Sequence, residues 1–203
     1  RALHTWTALD NTNFIGIGTS QKYYLNAGGT YYDITPLRLT TGGGDVTFSA
    51  TNGSSTITVT DTDHGANLND FVTFTNAGTL GGNITADVLN QEYQIASITA
   101  SNTYTITAKD TSGSTVTANG SDSGNGGSST VGTYQVSVGL DTTATGAGWG
   151  VGTWGSDGWG QAATTPIVTN TLRIWSHDNF GEDLLINVRN GGIYYWDKTG
   201  GFA

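Results

Sequence analysis

Cysteine and methionine are absent from the 203 residues, and proline occurs only twice. Without cysteine the chain can form neither disulfides nor thiolate metal sites, and it has no cysteine nucleophile; the compartment stays open. Charge is scarce as well. Asp, Glu, Lys and Arg make up 11% of the residues, well under the roughly 25% usual in soluble domains, so Thr, Ser, Asn and Gly must build much of the surface. Seven basic residues stand against 16 acidic ones, a net charge of −9. The basic residues are scattered singly, which disfavours nucleic-acid binding, because phosphate neutralisation needs clustered Lys and Arg. No apolar run approaches the roughly 18 residues of a membrane span, and no basic-then-apolar leader opens the chain. The sequence starts at Arg1 and contains no Met, which fits a processed product, a domain, or part of a longer chain.

Helical periodicity is nearly absent too, whereas alternation with a period of two recurs. Thr56-Ile57-Thr58-Val59-Thr60 puts apolar residues on one face and threonines on the other, and Tyr134-Gln135-Val136-Ser137-Val138 alternates likewise. Phe71-Val72-Thr73-Phe74 reads as a further strand. The runs Tyr93-Gln94-Ile95 and Tyr104-Thr105-Ile106 flank a break at Ala100-Ser101-Asn102 that would let them pair as a hairpin. Residues 111 to 130 are dominated by Ser, Thr, Gly, Asn and Asp and read as a long loop or a loose hairpin. The fold class expected is all-β.

An internal echo organises the ends. Gly28-Gly29-Thr30-Tyr31-Tyr32-Asp33 matches Gly191-Gly192-Ile193-Tyr194-Tyr195-Trp196-Asp197, and each string follows an apolar run. Both read as strand, Gly-Gly turn, aromatic strand. The expected organisation is an N-terminal hairpin unit over residues 1–44, a small barrel- or sandwich-like β-module over 45–140, a Trp-Gly array over 141–163, and a C-terminal hairpin unit over 164–203. The two end units would pack together as blade-like, propeller-like sheets, with the module inserted between them. In the array Trp149, Trp154 and Trp159 recur every five residues, each followed by Gly. Glycine this dense favours consecutive tight turns presenting indole rings, either to sugars or to packing at β-corners or between chains.

No string marks a catalytic centre. Asp61, Asp63, Asp178, Glu182 and Asp183 are the candidates for paired-carboxylate hydrolysis, but acidic residues are common in β-turns because Asp bonds its own backbone there. His4, His64 and His177 stand at no metal-type spacing. Asp61 and Asp63 would suit the first and third positions of a calcium loop, yet Gly65 and Val72 stand where its fifth and twelfth ligands belong. No Gly-x-Ser-x-Gly elbow is present. Asn52, Asn83 and Asn119 begin sequons of a kind expected by chance in so Asn- and Thr-rich a chain. No cofactor and no metal is expected.

Several strings carry a resemblance. Phe14-Ile15-Gly16-Ile17-Gly18-Thr19, Lys22-Tyr23-Tyr24 and Tyr32-Asp33-Ile34-Thr35-Pro36-Leu37-Arg38, with the stretch from Leu172-Arg173-Ile174-Trp175 through Phe180-Gly181-Glu182-Asp183 to Tyr195-Trp196-Asp197, resemble large tail structural proteins of tailed bacteriophages, marine ones especially. The central His64-Gly65-Ala66-Asn67-Leu68-Asn69-Asp70-Phe71-Val72 is similar to a small β-module of phage tail and fibre proteins, which usually has His-Gly-Leu at its start. The resemblance implies a non-enzymatic virion component of the tail tube, nozzle or fibre, partnered by copies of itself and other virion proteins. The competing functions are a host-glycan-binding adhesin using Trp149, Trp154 and Trp159, and a glycan-degrading enzyme.

Overall fold

The computed structural model describes residues 2–138, 173–189 and 191–202. Trp149, Trp154 and Trp159 lie outside them. Strands in chain order are β1 (Ala2–Thr7), β2 (Asn13–Gly18), β3 (Tyr23–Ala27), β4 (Thr30–Asp33), β5 (Leu37–Thr40), β6 (Thr47–Ala50), β7 (Thr56–Thr60) and β8 (Phe71–Thr75). After the one-turn helix α1 (Ala86–Leu89) come β9 (Glu92–Gln94), β10 (Ser97–Ala100), β11 (Thr103–Thr107), β12 (Val131–Gln135), β13 (Trp175–Phe180), β14 (Asp183–Val188) and β15 (Ile193–Trp196). They form four antiparallel sheets of three or four strands, so the all-β expectation holds. Among the described residues there is neither a propeller nor a closed barrel. The chain divides into two compact units, Arg1–Ile34 with Gly139–Ala203, and Thr35–Val138.

In the first unit the sheets are the meanders β1-β2-β3-β4 and β13-β14-β15. Register aligns Trp6 with Phe14 and Ala27, and His4 with Gly16, Leu25 and Tyr32. These inward rows meet Trp175, His177, Leu184, Ile186 and Trp196 of the other sheet: Trp196 lies edge-on to Trp6 and Phe14, and Tyr23 edge-on to Trp175. Indole N–H groups tie the layers, since Trp6 Nε1 donates to the Glu182 carbonyl at 3.0 Å and Trp175 Nε1 to the Thr19 carbonyl at 2.7 Å. Two glycines permit this packing. A Cβ on Gly18 would stand 2.5 Å from Trp175 Cδ1, and one on Gly16 would collide with the Tyr23 hydroxyl.

The Gly-Gly strings do not make equivalent turns. Ala27 pairs with Thr30, so Gly28-Gly29 is a two-residue hairpin loop with φ of 59° and 89°, the left-handed geometry that glycine adopts without penalty. In the C-terminal hairpin Asn187 is the residue that pairs with Ile193, so the two strands there are not joined by a two-residue loop. The likeness is in the sequence, and loop length divides the two.

In the second unit two four-stranded sheets, β10-β11-β7-β6 and β5-β12-β8-β9, share one core. Alternation does the sorting: Phe48, Val59 and Tyr104 align inward across three strands, while the rows Thr47-Thr60-Thr103 and Ser49-Thr58-Thr105 face out. From the other sheet Val72, Phe74, Tyr93 and Tyr134 face the same core. The hairpin expected between the Tyr93 and Tyr104 runs is not formed. Tyr93 pairs with Val72 on β8, the chain crosses to the other sheet at Ile95-Ala96, and Ser97–Ala100 becomes the partner of β11. Burying both Tyr93 and Ile95 holds that crossing in place.

Residues 111–130 contain no strand but are well tied. Ala118 exchanges backbone bonds with Gly53 and Ser54, Gly124 N–H donates to Leu80, and Asn125 accepts from Phe48 N–H along the edge of β6.

Candidate functional site

Three places bring together chemistry-bearing or interaction-bearing residues. The first is a buried polar cluster in the second unit. Asp61 ends the segment after β7, His64 follows in the turn, and Tyr104 and Tyr134 come from strands of opposite sheets. Tyr134 donates its hydroxyl hydrogen to Asp61 Oδ2 at 2.6 Å. The Tyr104 and Tyr134 hydroxyl oxygens are 2.7 Å apart, and since Tyr134 has a single hydrogen, already given to Asp61, Tyr104 is the donor to Tyr134. A directed chain, Tyr104 to Tyr134 to Asp61, therefore crosses the core. His64 packs edge-on against Tyr104 and stacks on Tyr134. Its Nδ1 accepts from Ala66 N–H at 2.9 Å, so in the neutral ring Nε2 carries the hydrogen. Arg38 donates Nη1 to the His64 carbonyl at 2.8 Å and lays its guanidinium over the Tyr134 ring.

Burial pushes the Asp61 carboxyl above its ordinary pKa, against the opposing pull of the Tyr134 hydroxyl and of His64. The same burial pushes His64 down, with Asp61 opposing and Arg38 assisting. Asp61 and His64 have essentially no solvent exposure. The cluster therefore works on the fold from inside, by cross-linking two sheets.

The second place lies between the sheets of the first unit. His4 and His177 have ring centres 5.2 Å apart, Tyr23 Oη and His177 Nδ1 share a short hydrogen bond, and His4 Nε2 lies 3.2 Å from Asn179 Oδ1 and 3.8 Å from Asp178 Oδ1. Burial holds His177 below the ordinary histidine pKa, the Leu3 backbone opposes that, and His4 adds to it.

The carboxylates picked out in the sequence are dispersed. Asp61 is buried, while Asp63 is exposed in a left-handed turn at φ 57°. Asp178 is exposed on β13. Glu182 accepts from Leu9 N–H and from Lys198 Nζ, and Asp183 accepts from the Tyr195 hydroxyl and Lys198 N–H. Lys198 also reaches Asp10 at 3.0 Å. Asp10 is pulled down to about 2 by the Thr12 backbone first and Lys198 second. Among the described residues no three His, Asp or Glu side chains come together to hold a metal ion.

The third place is the outer surface of the first unit. The register that turns Trp6 and Tyr23 inward turns Leu3, Ile17 and Tyr24 outward as one cross-strand row, and Ile15 and Tyr31 onto the same face. Leu3 is 72% exposed, and an open hollow of about 520 Å³ lies against Leu3, Ile17 and Thr19. On the outer side of the C-terminal sheet Phe180 and Ile193 are 69% and 74% exposed, and Tyr195 is exposed beside them. Both sheets thus bury an aromatic face and still present apolar side chains to solvent. Sequence reading missed this surface because outward and inward apolar residues are indistinguishable in strands as mixed as Leu3-His4-Thr5-Trp6 until the partner sheet is known. No family model, curated protein or solved structure matches the chain.

Proposed function

We propose that the chain is a structural subunit of a tailed-phage virion, from the tail tube, nozzle or a fibre, and that it acts by assembly rather than by catalysis. The observation that carries this reading is the two-sided apolar exposure of the first unit. Leu3, Tyr31, Phe180, Ile193 and Tyr195 stand on outer sheet faces of a chain with very few charges. Exposed apolar patches of this kind mark surfaces that neighbouring protein covers. Outermost strands such as β4 and β15 offer backbone edges for the same purpose.

In this reading the two meander sheets are blade-like units and the second unit, Thr35–Val138, is a sandwich-like insertion between them in the chain. The partners are copies of the chain and other virion proteins, and the location is the particle itself. Immunogold labelling of purified phage particles, with antibodies raised against the second unit, tests the reading. Label on the tail is expected. Intact particles that contain the protein nowhere, from cells that make it, would overturn the proposal.

A further inference from the structure

The two ends of the first unit differ in shape and in charge. β1 and β2 lie side by side from Ala2, paired with Gly18, to Thr7, paired with Asn13. At the Thr7 end the connection between them carries Leu9, which is 91% exposed. A lone exposed leucine is ordinary, but this one stands on a loop that is tied down on all sides. Ala8 N–H donates to the Thr12 carbonyl, Asn11 N–H to the Ala8 carbonyl, Thr12 N–H to Asp10 Oδ1, and Leu9's own N–H to Glu182 Oε1 of the other sheet. Asn11 takes a left-handed φ of 64° to close the turn. Polar contacts therefore fix the loop while its large apolar side chain faces solvent.

At the Ala2 end lies the open hollow of about 520 Å³, lined by Ala2, Leu3, Ile17, Gly18, Thr19 and Ser20. Hollows of this size hold whole small ligands, so it has room for a leucine and part of the loop that bears it. Knob and hollow thus stand at opposite ends of the same two strands.

Charge follows the same axis. Trp175 packs on Gly18 and Glu182 on Leu9, so the second sheet shares these two ends. Among the described residues, the hollow end carries Lys22, Arg173 and Arg189 against Asp33. The knob end carries Asp10, Glu182, Asp183 and Asp197 against Lys198. A basic end and an acidic end attract when copies stack in one direction and repel when like ends meet.

We infer that the first units of successive copies join head to tail, with Leu9 of one copy seated in the hollow against Leu3 and Ile17 of the next. The contact uses two different surfaces of the chain, so it is heterologous, and addition continues until a ring closes or a filament forms. The inference rests on the assembly reading and deepens it, by naming a second copy of this chain as the partner of the hollow.

The test is sedimentation velocity of the full-length chain, alone and in mixtures. Wild type is expected to form species that lengthen with concentration. Leu9→Asp, which would carry a carboxylate into the apolar hollow, and Leu3→Asp, which places one in its wall, should each sediment as monomers with unchanged circular dichroism. Mixed in equal amounts, the two variants should form a dimer and nothing longer, because the Leu3→Asp copy keeps a sound knob and the Leu9→Asp copy a sound hollow. If either substitution alters the fold, Leu9→Ser and Ser20→Trp, which remove the knob and fill the hollow, take their places. A wild-type chain that stays monomeric, association indifferent to Leu9, or a mixture that stays monomeric or grows past the dimer overturns the head-to-tail contact, whatever the labelling of particles shows. Particles without label, beside a mixture that dimerises, overturn the virion reading and leave the contact standing.

Discussion

Replacing Tyr134 by Phe removes one oxygen atom from the centre of the second unit, and the structure assigns that atom two tasks. It donates to Asp61 Oδ2 at 2.6 Å and accepts from the Tyr104 hydroxyl at 2.7 Å. Asp61 is fully buried, and its other oxygen has no partner. The variant would therefore leave a buried carboxylate without any donor. A hydrogen bond to a charged group contributes about 1.5–3 kcal/mol, and a neutral one about 0.5–1.5 kcal/mol, so Tyr134→Phe should cost about 2–4 kcal/mol at neutral pH. Tyr104→Phe, which removes only the neutral link, should cost about 1 kcal/mol. At 4–8 °C per kcal/mol for a unit of this size, the first variant should lower the melting transition by roughly 10–30 °C.

The pH dependence supplies a sharper check. Burial raises the folded-state pKa of Asp61 above its ordinary 3.8, and the Tyr134 hydroxyl opposes that rise. Because the folded state binds the proton more tightly than the unfolded chain, the stabilising contribution is complete below 3.8 and is lost as pH rises through the folded value. Without Tyr134 Oη the folded value moves further up, so that loss deepens. The gap between wild type and Tyr134→Phe should thus narrow as the solution is acidified towards pH 4. Urea denaturation at pH 7 and at pH 4 measures it, with Tyr104→Phe as reference. Equal costs for the two tyrosines, or a Tyr134→Phe cost that does not change with pH, would refute the directed chain.

Three further outcomes are expected. Gly18→Ala would press a Cβ to 2.5–2.9 Å from Trp175 side-chain atoms and should destabilise the first unit by about 1–3 kcal/mol, read as an earlier loss of near-ultraviolet tryptophan signal; an unchanged signal would show that the sheets can part at no cost. The folded-state pKa of His177 is held below 6.5, first by burial, so its contribution to stability is present above pH 6.5 and is lost as pH falls through the folded value. His177→Asn, which keeps an acceptor for Tyr23, should flatten the acid limb of the stability profile, and an identical slope would count against the buried neutral ring. Finally, Leu3→Asp combined with Ile193→Asp should shift sedimentation of the chain towards the monomer with its circular dichroism unchanged, whereas assembly indifferent to both changes would remove the apolar faces from the interface.

How much of this was legible in the sequence follows from the range of each interaction. Alternation in Thr56–Thr60 is a local property, because a strand sends successive side chains to opposite faces whatever it pairs with; strand identity, threonine-lined outer faces and the all-β class were therefore readable from residues two apart. The tight turn at Gly28-Gly29 was local in the same way. Pairing was not. Whether Tyr93 meets Tyr104 or Val72 depends on which arrangement buries Ile95 as well, and that is a property of two sheets at once. The need for glycine at positions 16 and 18 is set by Tyr23 and by Trp175, the latter more than 150 residues further along the chain. Asp61 and Asp122 look like ordinary turn residues beside Thr62 and Ser123. Only tertiary packing distinguishes them from Asp70, because it decides which buried oxygen receives a donor and which does not.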